Sequence, residues 1–256
     1  MNSFKSIKTQ LIIFLIIFAI FIVVRDKDLI FLFNCFLSAV FALILEGAIL
    51  YFKSKMFKLK ESAIITGLII GYVLSSDSGM ERFLIANTLA IGSKYIIRFH
   101  KRHIFNPAGF GIFISTVFFN NFTHWKGTYI WYIIIPLGIY FTYRLRKIEI
   151  VFSYIILSFL LFGWQTLSQN RSLEDIWGYL SYFYIFIMVI EPKTSSIDII
   201  GKYIFGIGLA IFIFVFTGLG ARFDVELFSL LIMNASVPLL SRIVLKSDAV
   251  ICQEKK

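Results

Sequence analysis

Charge is scarce in this chain. Only 16% of its 256 residues are Asp, Glu, Lys or Arg, against 59% hydrophobic residues and a mean hydropathy of +0.84. A soluble domain carries roughly 25% charge and about 45–50% apolar residues, so a water-soluble enzyme and a disordered tail are both excluded. Cysteine is nearly absent too, which excludes a disulfide-knotted secreted module. Cys35 lies in an apolar stretch and Cys252 in a polar tail, and neither shows metal-ligand spacing, so no metal site is expected. There is no phosphate-binding P-loop. Gly206-Ile207-Gly208 lacks the third glycine and the strand context of a dinucleotide fold. No Ser/His/Asp or Cys/His set can be assigned.

What the chain has is long apolar runs, at 11–24, 29–52, 62–75, 83–98, 105–121, 129–143, 148–164, 176–190, 201–219 and 225–243. At about 20 residues each, ten spans consume roughly 200 residues, which leaves no room for a catalytic domain outside the bilayer. The first run follows Lys5 and Lys8 without a small-residue cleavage site and is expected to be a signal anchor.

Cations test the map independently. With the N-terminus in the cytoplasm, 18 Lys and Arg fall on the inside (in loops such as Lys53–Lys60, Arg98–Arg102 and Arg144–Lys147), 6 fall outside, and Lys94 lies within a span. That alternation follows the positive-inside rule. It predicts a multi-pass protein of the cell (plasma) membrane with both termini cytoplasmic. It also accounts for the formal net charge of +10, which would suggest nucleic acid only in a soluble protein. The expected environment is the lipid bilayer, with no nucleic-acid partner.

The expected fold is therefore all-α, a single polytopic domain over 1–256 with about ten transmembrane helices. Ten spans divide five and five, in halves about 1–121 and 129–246, and an odd number per half inverts the second. Two features point to such an inverted repeat. The third run of each half is short, and each ends in a polar bend, Ser75–Gly79 in the first and Glu191–Ser196 in the second. Paired short spans in matching positions point to a polar site between repeats; plain tilted spans are the simpler alternative.

Candidate polar residues follow from this map. Glu46 and Lys94 are read as the ionisable groups inside spans, each costing about 2.5–3.5 kcal/mol at a helix centre. An ion pair between them, a Glu46 contact to a coupled cation or partner, and two side chains snorkelling to the cytoplasmic interface are the open readings. Arg98-Phe99-His100-Lys101-Arg102-His103 is a dense basic turn, preferentially a topology anchor and alternatively a holder of an anionic headgroup or cofactor phosphate. Asn106 precedes Pro107 as a natural helix N-cap. Thr194, Ser195 and Asn234 complete the candidate pathway. Gly67, Gly71, Gly201, Gly206 and Gly208 are expected to permit close helix packing.

Gly92–Phe113, with its basic turn and Phe-Asn-Pro-Ala, resembles a signature of one membrane family. That family comprises the NqrB membrane subunit of the sodium-pumping NADH:quinone oxidoreductase and the RnfD membrane subunit of the Rnf electron-transport complex. Ser62–Leu74, Ile187–Ala210 and Asp224–Arg242 resemble its third, eighth and last spans, so the likeness runs in order over most of the chain. The resemblance implies a ten-helix inverted-repeat fold similar to urea transporters, and other membrane subunits of a redox complex as partners. It also implies FMN joined by a phosphoester to Thr of a Ser-Gly-Ala-Thr motif in a long outside insert after the fifth span. Here that loop is only about Asn120–Thr128 and the motif is absent, so covalent FMN is not expected at Thr123 or Thr128. A noncovalent flavin, riboflavin or FMN, remains compatible, with Arg102, His103 and Asn106 the weak candidates to hold it. Glu191 stands where the family usually has Asp of a Thr-Asp-Pro turn. The resemblance thus implies a subunit of an ion-translocating electron-transport complex, while a small-solute or ion channel with the same fold and a purely structural anchor are the rivals.

Overall fold

A computed structural model describes residues 6–55, 58–99, 102–119, 122–191, 194–195 and 198–238. The chain is all-α apart from a hairpin of two-residue strands among the described residues. It divides into two compact units. One comprises residues 1–97 with 107–130, the other 98–106 with 131–256.

The first unit holds α1 (Ile7–Asp26), α2 (Leu29–Ser54), α3 (Glu61–Val73), α4 (Met80–Ile96) and α5 (Pro107–Phe119). Asp28 starts α2 by accepting from the Phe31 N–H at 2.9 Å, an ordinary N-cap. α3 packs against α1, α2, α4 and α5. A helix enclosed on all sides has no polar face to present, and the stretch Thr66–Val73 is buried throughout. Two glycines set its approach to α2. A Cβ on Gly67 would run into the Ser38 carbonyl, and one on Gly71 into the Cys35 backbone. At 13 residues and about 1.5 Å per residue, α3 is far shorter than the roughly 30 Å hydrocarbon layer.

The end of α3 is extended by backbone pairing. Ser75 N–H donates to the Phe122 carbonyl, His124 N–H to Val73 and Lys126 N–H to Tyr72. Asp28 tethers the same loop, accepting from Lys126 Nζ at 2.8 Å and Ser76 Oγ at 3.2 Å. Beneath it, the Tyr72 hydroxyl donates to the Leu15 carbonyl at 2.6 Å and its ring packs on Phe31 and Phe18.

The second unit holds β1 (Arg98–Phe99) and β2 (Arg102–His103), paired antiparallel with Arg98 opposite His103. It continues with α6 (Trp131–Arg144), α7 (Ile148–Ser168), a 3-10 helix (Leu173–Tyr179), a π-helical turn (Tyr184–Met188), α8 (Ile199–Gly218) and α9 (Val225–Pro238). Here the structure departs from the expectation of one apolar span over 176–190. That run is a 3-10 helix, a break at Leu180–Ser181, and a short helix that widens into the π turn. α7 and α8 meet closely because Gly206 lies against the Ile150 carbonyl and Ser153 Oγ. Gly208 likewise receives Met233 of α9, whereas Gly201 serves the N-terminus of α8, donating its N–H to the Asp198 carboxylate.

Among the described residues four helices, α1, α2, α7 and α8, are long and apolar enough to cross a membrane. Glu61–Val73, Pro107–Phe119 and Val225–Pro238 are shorter apolar helices. Large apolar side chains stand exposed along the long ones, among them Ile17, Phe36, Phe52, Phe152, Leu160 and Ile199. Such surfaces suit lipid rather than water.

Candidate functional site

In the first unit the two predicted in-span charges meet. Lys94 Nζ of α4 stands 3.0 Å from Glu46 Oε2 of α2, and both side chains are enclosed, at 7% and 3% exposure. Lys94 also donates to the Ser62 carbonyl at 3.2 Å, at the start of α3. The Tyr95 hydroxyl donates to Glu46 Oε1 at 3.0 Å, and half-exposed Lys60 lies 3.7 Å from the same oxygen. The geometry is thus that of a buried pair with added hydrogen bonds, the condition under which such a pair offsets its desolvation. Three helices converge on this carboxylate.

In the second unit the remaining candidates gather around the eighth segment. The Asn106 amide donates to the Met188 carbonyl at 3.2 Å, where the π turn leaves carbonyls outside the regular ladder. His103 Nε2 lies 3.5 Å from Glu191 Oε1, so the hairpin and the polar bend share one contact. Ser195 Oγ donates to the Glu191 carbonyl at 2.9 Å, and Thr194 Oγ1 lies 3.4 Å from its carboxylate; both are buried. Arg102 stands exposed on β2.

Behind this bend Lys147 is buried, with Nζ 3.5 Å from the Ser195 carbonyl. Burial, reinforced by Lys202 nearby, pulls its ammonium down to about 8. Lys202 is itself paired to Glu149 at 3.1 Å. Glu149 and Asp198 both act on Lys147, so Lys147 and Lys202 face carboxylates, while Arg102 acts on Lys147 as a like charge.

Asn234 of α9 is 1% exposed, and neither its amide nitrogen nor its oxygen has a partner among the described residues. His100, Lys101, Asn121, Pro192, Lys193, Ser196 and the tail with Arg242 and Cys252 lie outside the described residues. No three His, Cys, Asp or Glu side chains come together as a metal cluster among the described residues.

The reading of Glu46 and Lys94 as the in-span ionisable groups is incomplete. Glu149 and Lys202 form a second interhelical pair, and Glu226 sits in the first turn of α9. The residue is half-buried, and its carboxyl accepts from the hydroxyl and the N–H of Ser181. Tyr154 of α7 and Tyr184 of the π turn lie within electrostatic reach of it, their rings 6.1 Å apart. The sequence signal was available, since Glu226 falls at the second position of the last apolar run, but a charge so near a run's edge reads as a boundary residue.

No curated protein matches the chain. Residues 127–249, just under half of the sequence, match the model of the NQR2, RnfD, RnfE family. The matched stretch takes in α6 to α9 and the broken eighth segment, so this part of the chain is similar to the NQR2, RnfD, RnfE family, and with its long apolar helices the chain is a multi-pass membrane protein.

Proposed function

We propose that the chain is a membrane subunit of an Rnf- or Nqr-like complex that couples electron transfer to ion translocation, and that it works without a covalently bound flavin. The family match over 127–249 carries this reading. Ten spans in two inverted halves of urea-transporter type, with both termini cytoplasmic in the cell membrane, are the topology proposed with it. The short α3 in one unit and the broken segment before Glu191 in the other support that arrangement.

The shortness of the Asn120–Thr128 loop and its lack of a Ser-Gly-Ala-Thr motif support a chain without a phosphoester flavin. A noncovalent riboflavin or FMN stays part of the proposal, but two of its three weak candidates are engaged within the protein, Asn106 with Met188 and His103 with Glu191. Partners are other membrane subunits that carry the redox centres.

A second reading, a small-solute or ion channel of the same fold, is favoured by the buried polar atoms of the second unit that lack partners among the described residues, Asn234 and Ser229 among them. Purification under mild detergent from native membranes separates the two. Co-elution with iron–sulfur or flavin subunits supports the redox reading, and flavin absorbance in the isolated chain adds the cofactor. A chain that elutes alone and carries solute flux in liposomes rejects the redox reading.

A further inference from the structure

Cations are placed differently at the two ends of the first unit. At the end where α1 finishes and α2 begins, they meet carboxylates. Lys126 lies 2.8 Å from Asp28, Arg25 3.8 Å from Asp26 and Arg82 4.0 Å from Glu81. The opposite end gathers the start of α1, the end of α2 and the start of α3, since Thr9 and Ser6 donate to the Glu61 carboxylate at 2.5 and 3.4 Å. Lys8, Lys53, Lys55, Lys58 and Lys60 all stand exposed there. Glu61 is held by α1 and Glu46 is buried against Lys94, so among the described residues only Lys60 of the five comes near a carboxylate, 3.7 Å from Glu46. Of the fifteen acidic side chains in the sequence, only Asp248 and Glu254 lie outside the described residues.

Helix dipoles account for only part of this. Lys53 lies in the last turn of α2 and Lys55 caps it, at a helix end that favours cations. Lys8 lies in the first turn of α1, and Lys58 and Lys60 directly precede α3, at helix starts that favour anions instead. α1 has no acidic residue in its first turn. Cations gathered at two helix starts call for anions from outside the chain. Apolar side chains stand among these lysines, with Tyr51, Phe52 and Leu59 at 49%, 77% and 62% exposure. A free anion would use the ammonium groups and leave these side chains in water. A lipid uses both, because lysine stems lie along apolar surface while their heads reach polar groups, and aromatic rings favour the same depth.

We propose that this lysine-rich end of α1, α2 and α3 is a binding site for anionic phospholipid headgroups, with Phe52 and Leu59 seated at the acyl boundary. Four or more basic residues beside a membrane helix attract such lipids electrostatically. The proposal rests on the membrane reading of the chain and not on its redox partners, so a chain that purifies alone leaves its test unaffected.

The test places the full-length protein in phosphatidylcholine vesicles with traces of spin-labelled phosphatidylglycerol or phosphatidylcholine, and reads the immobilised fraction of each by electron paramagnetic resonance. Phosphatidylglycerol is expected to be preferred about five-fold, and the preference to shrink in about 0.5 M sodium chloride as the charges are screened. Lys53→Gln, Lys55→Gln and Lys58→Gln together are expected to bring the two lipids within about two-fold of each other, with the melting temperature unchanged. The same three positions changed to Arg are expected to keep the preference. Arg25→Gln with Arg82→Gln, at the other end of the unit, is expected to leave it intact. An undiminished preference in the triple Gln variant overturns the site. So does an equal loss from the Arg25 and Arg82 variant, which would reduce the effect to net charge. Displacement of the lipid by excess inorganic phosphate at constant ionic strength would overturn it in favour of a free anion.

Discussion

At the scale of single residues, the Glu46–Lys94 pair makes the clearest prediction. Removing one member of a buried pair strands the other, at about 3–5 kcal/mol, whereas replacing both with apolar residues is often neutral or stabilising. Lys94→Met is therefore expected to lower the melting temperature in detergent markedly, and Glu46→Met with Lys94→Met to recover most of the loss. A double variant as unstable as the single would contradict mutual compensation within the pair. For function, Glu46→Gln is expected to impair activity more than Arg102→Gln, because Arg102 stands exposed on β2; equal and negligible effects would reject a role for Glu46 in the pathway.

Asp28 and Lys147 make opposite predictions against pH. Burial pulls the Asp28 carboxyl upward, but hydrogen bonds from Lys126, the Phe31 N–H and Ser76 outweigh it and hold it below its usual value. A depressed carboxylate stabilises the fold above the unfolded value and loses that contribution as pH falls through the folded one. Hydrogen exchange of the loop around His124 and Lys126 is thus expected to quicken below about pH 4, and Asp28→Asn to abolish the effect. Lys147 is depressed by burial to about 8. Between there and its unfolded value near 10.4, the unfolded chain binds more protons, so stability rises with pH in that window. Lys147→Met is expected to flatten that rise in a melting series.

At the scale of elements, the glycines that let helices touch were legible in the sequence, and so was the shortness of the third run. Gly206→Leu is expected to force α7 and α8 apart, an overpacking cost of about 1–3 kcal/mol, readable as a lower melting temperature. The mirror change at Gly218, which has nothing near its missing side chain, is expected to cost far less. The internal form of the eighth run was not legible. Its residues are almost all apolar, and periodicity cannot tell a straight buried helix from a 3-10 segment followed by a π turn when the stretch 183–190 is buried throughout. Nor did spacing show that Asn106 reaches Met188, a contact between residues 82 positions apart. Asn106 read locally as a helix cap, and only the fold supplies its distant partner.

At the scale of the whole molecule, composition alone was enough for an all-α membrane protein, because an apolar surface on long helices leaves the bilayer as the only compatible solvent. The candidate site was legible in part. In-span charges announce themselves by their cost, which is why Glu46 and Lys94 stood out. Glu226, Glu149 and Lys202 lie at the edges of apolar runs, where a charge costs little in the sequence and its burial is decided by neighbouring helices. The two compact units each enclose one such network, Glu46–Lys94 in the first and Glu149–Lys202 in the second.

The central claim is a chain threaded through the bilayer ten times, and cysteine accessibility mapping in sealed cells tests it most directly. Single cysteines placed in the N-terminal tail, at exposed His124 and in the C-terminal tail, in a variant whose native cysteines are replaced, are challenged with a membrane-impermeant maleimide. The account predicts labelling at position 124 alone until the cells are opened. Labelling of one tail and not the other in intact cells would place the termini on opposite faces and contradict it.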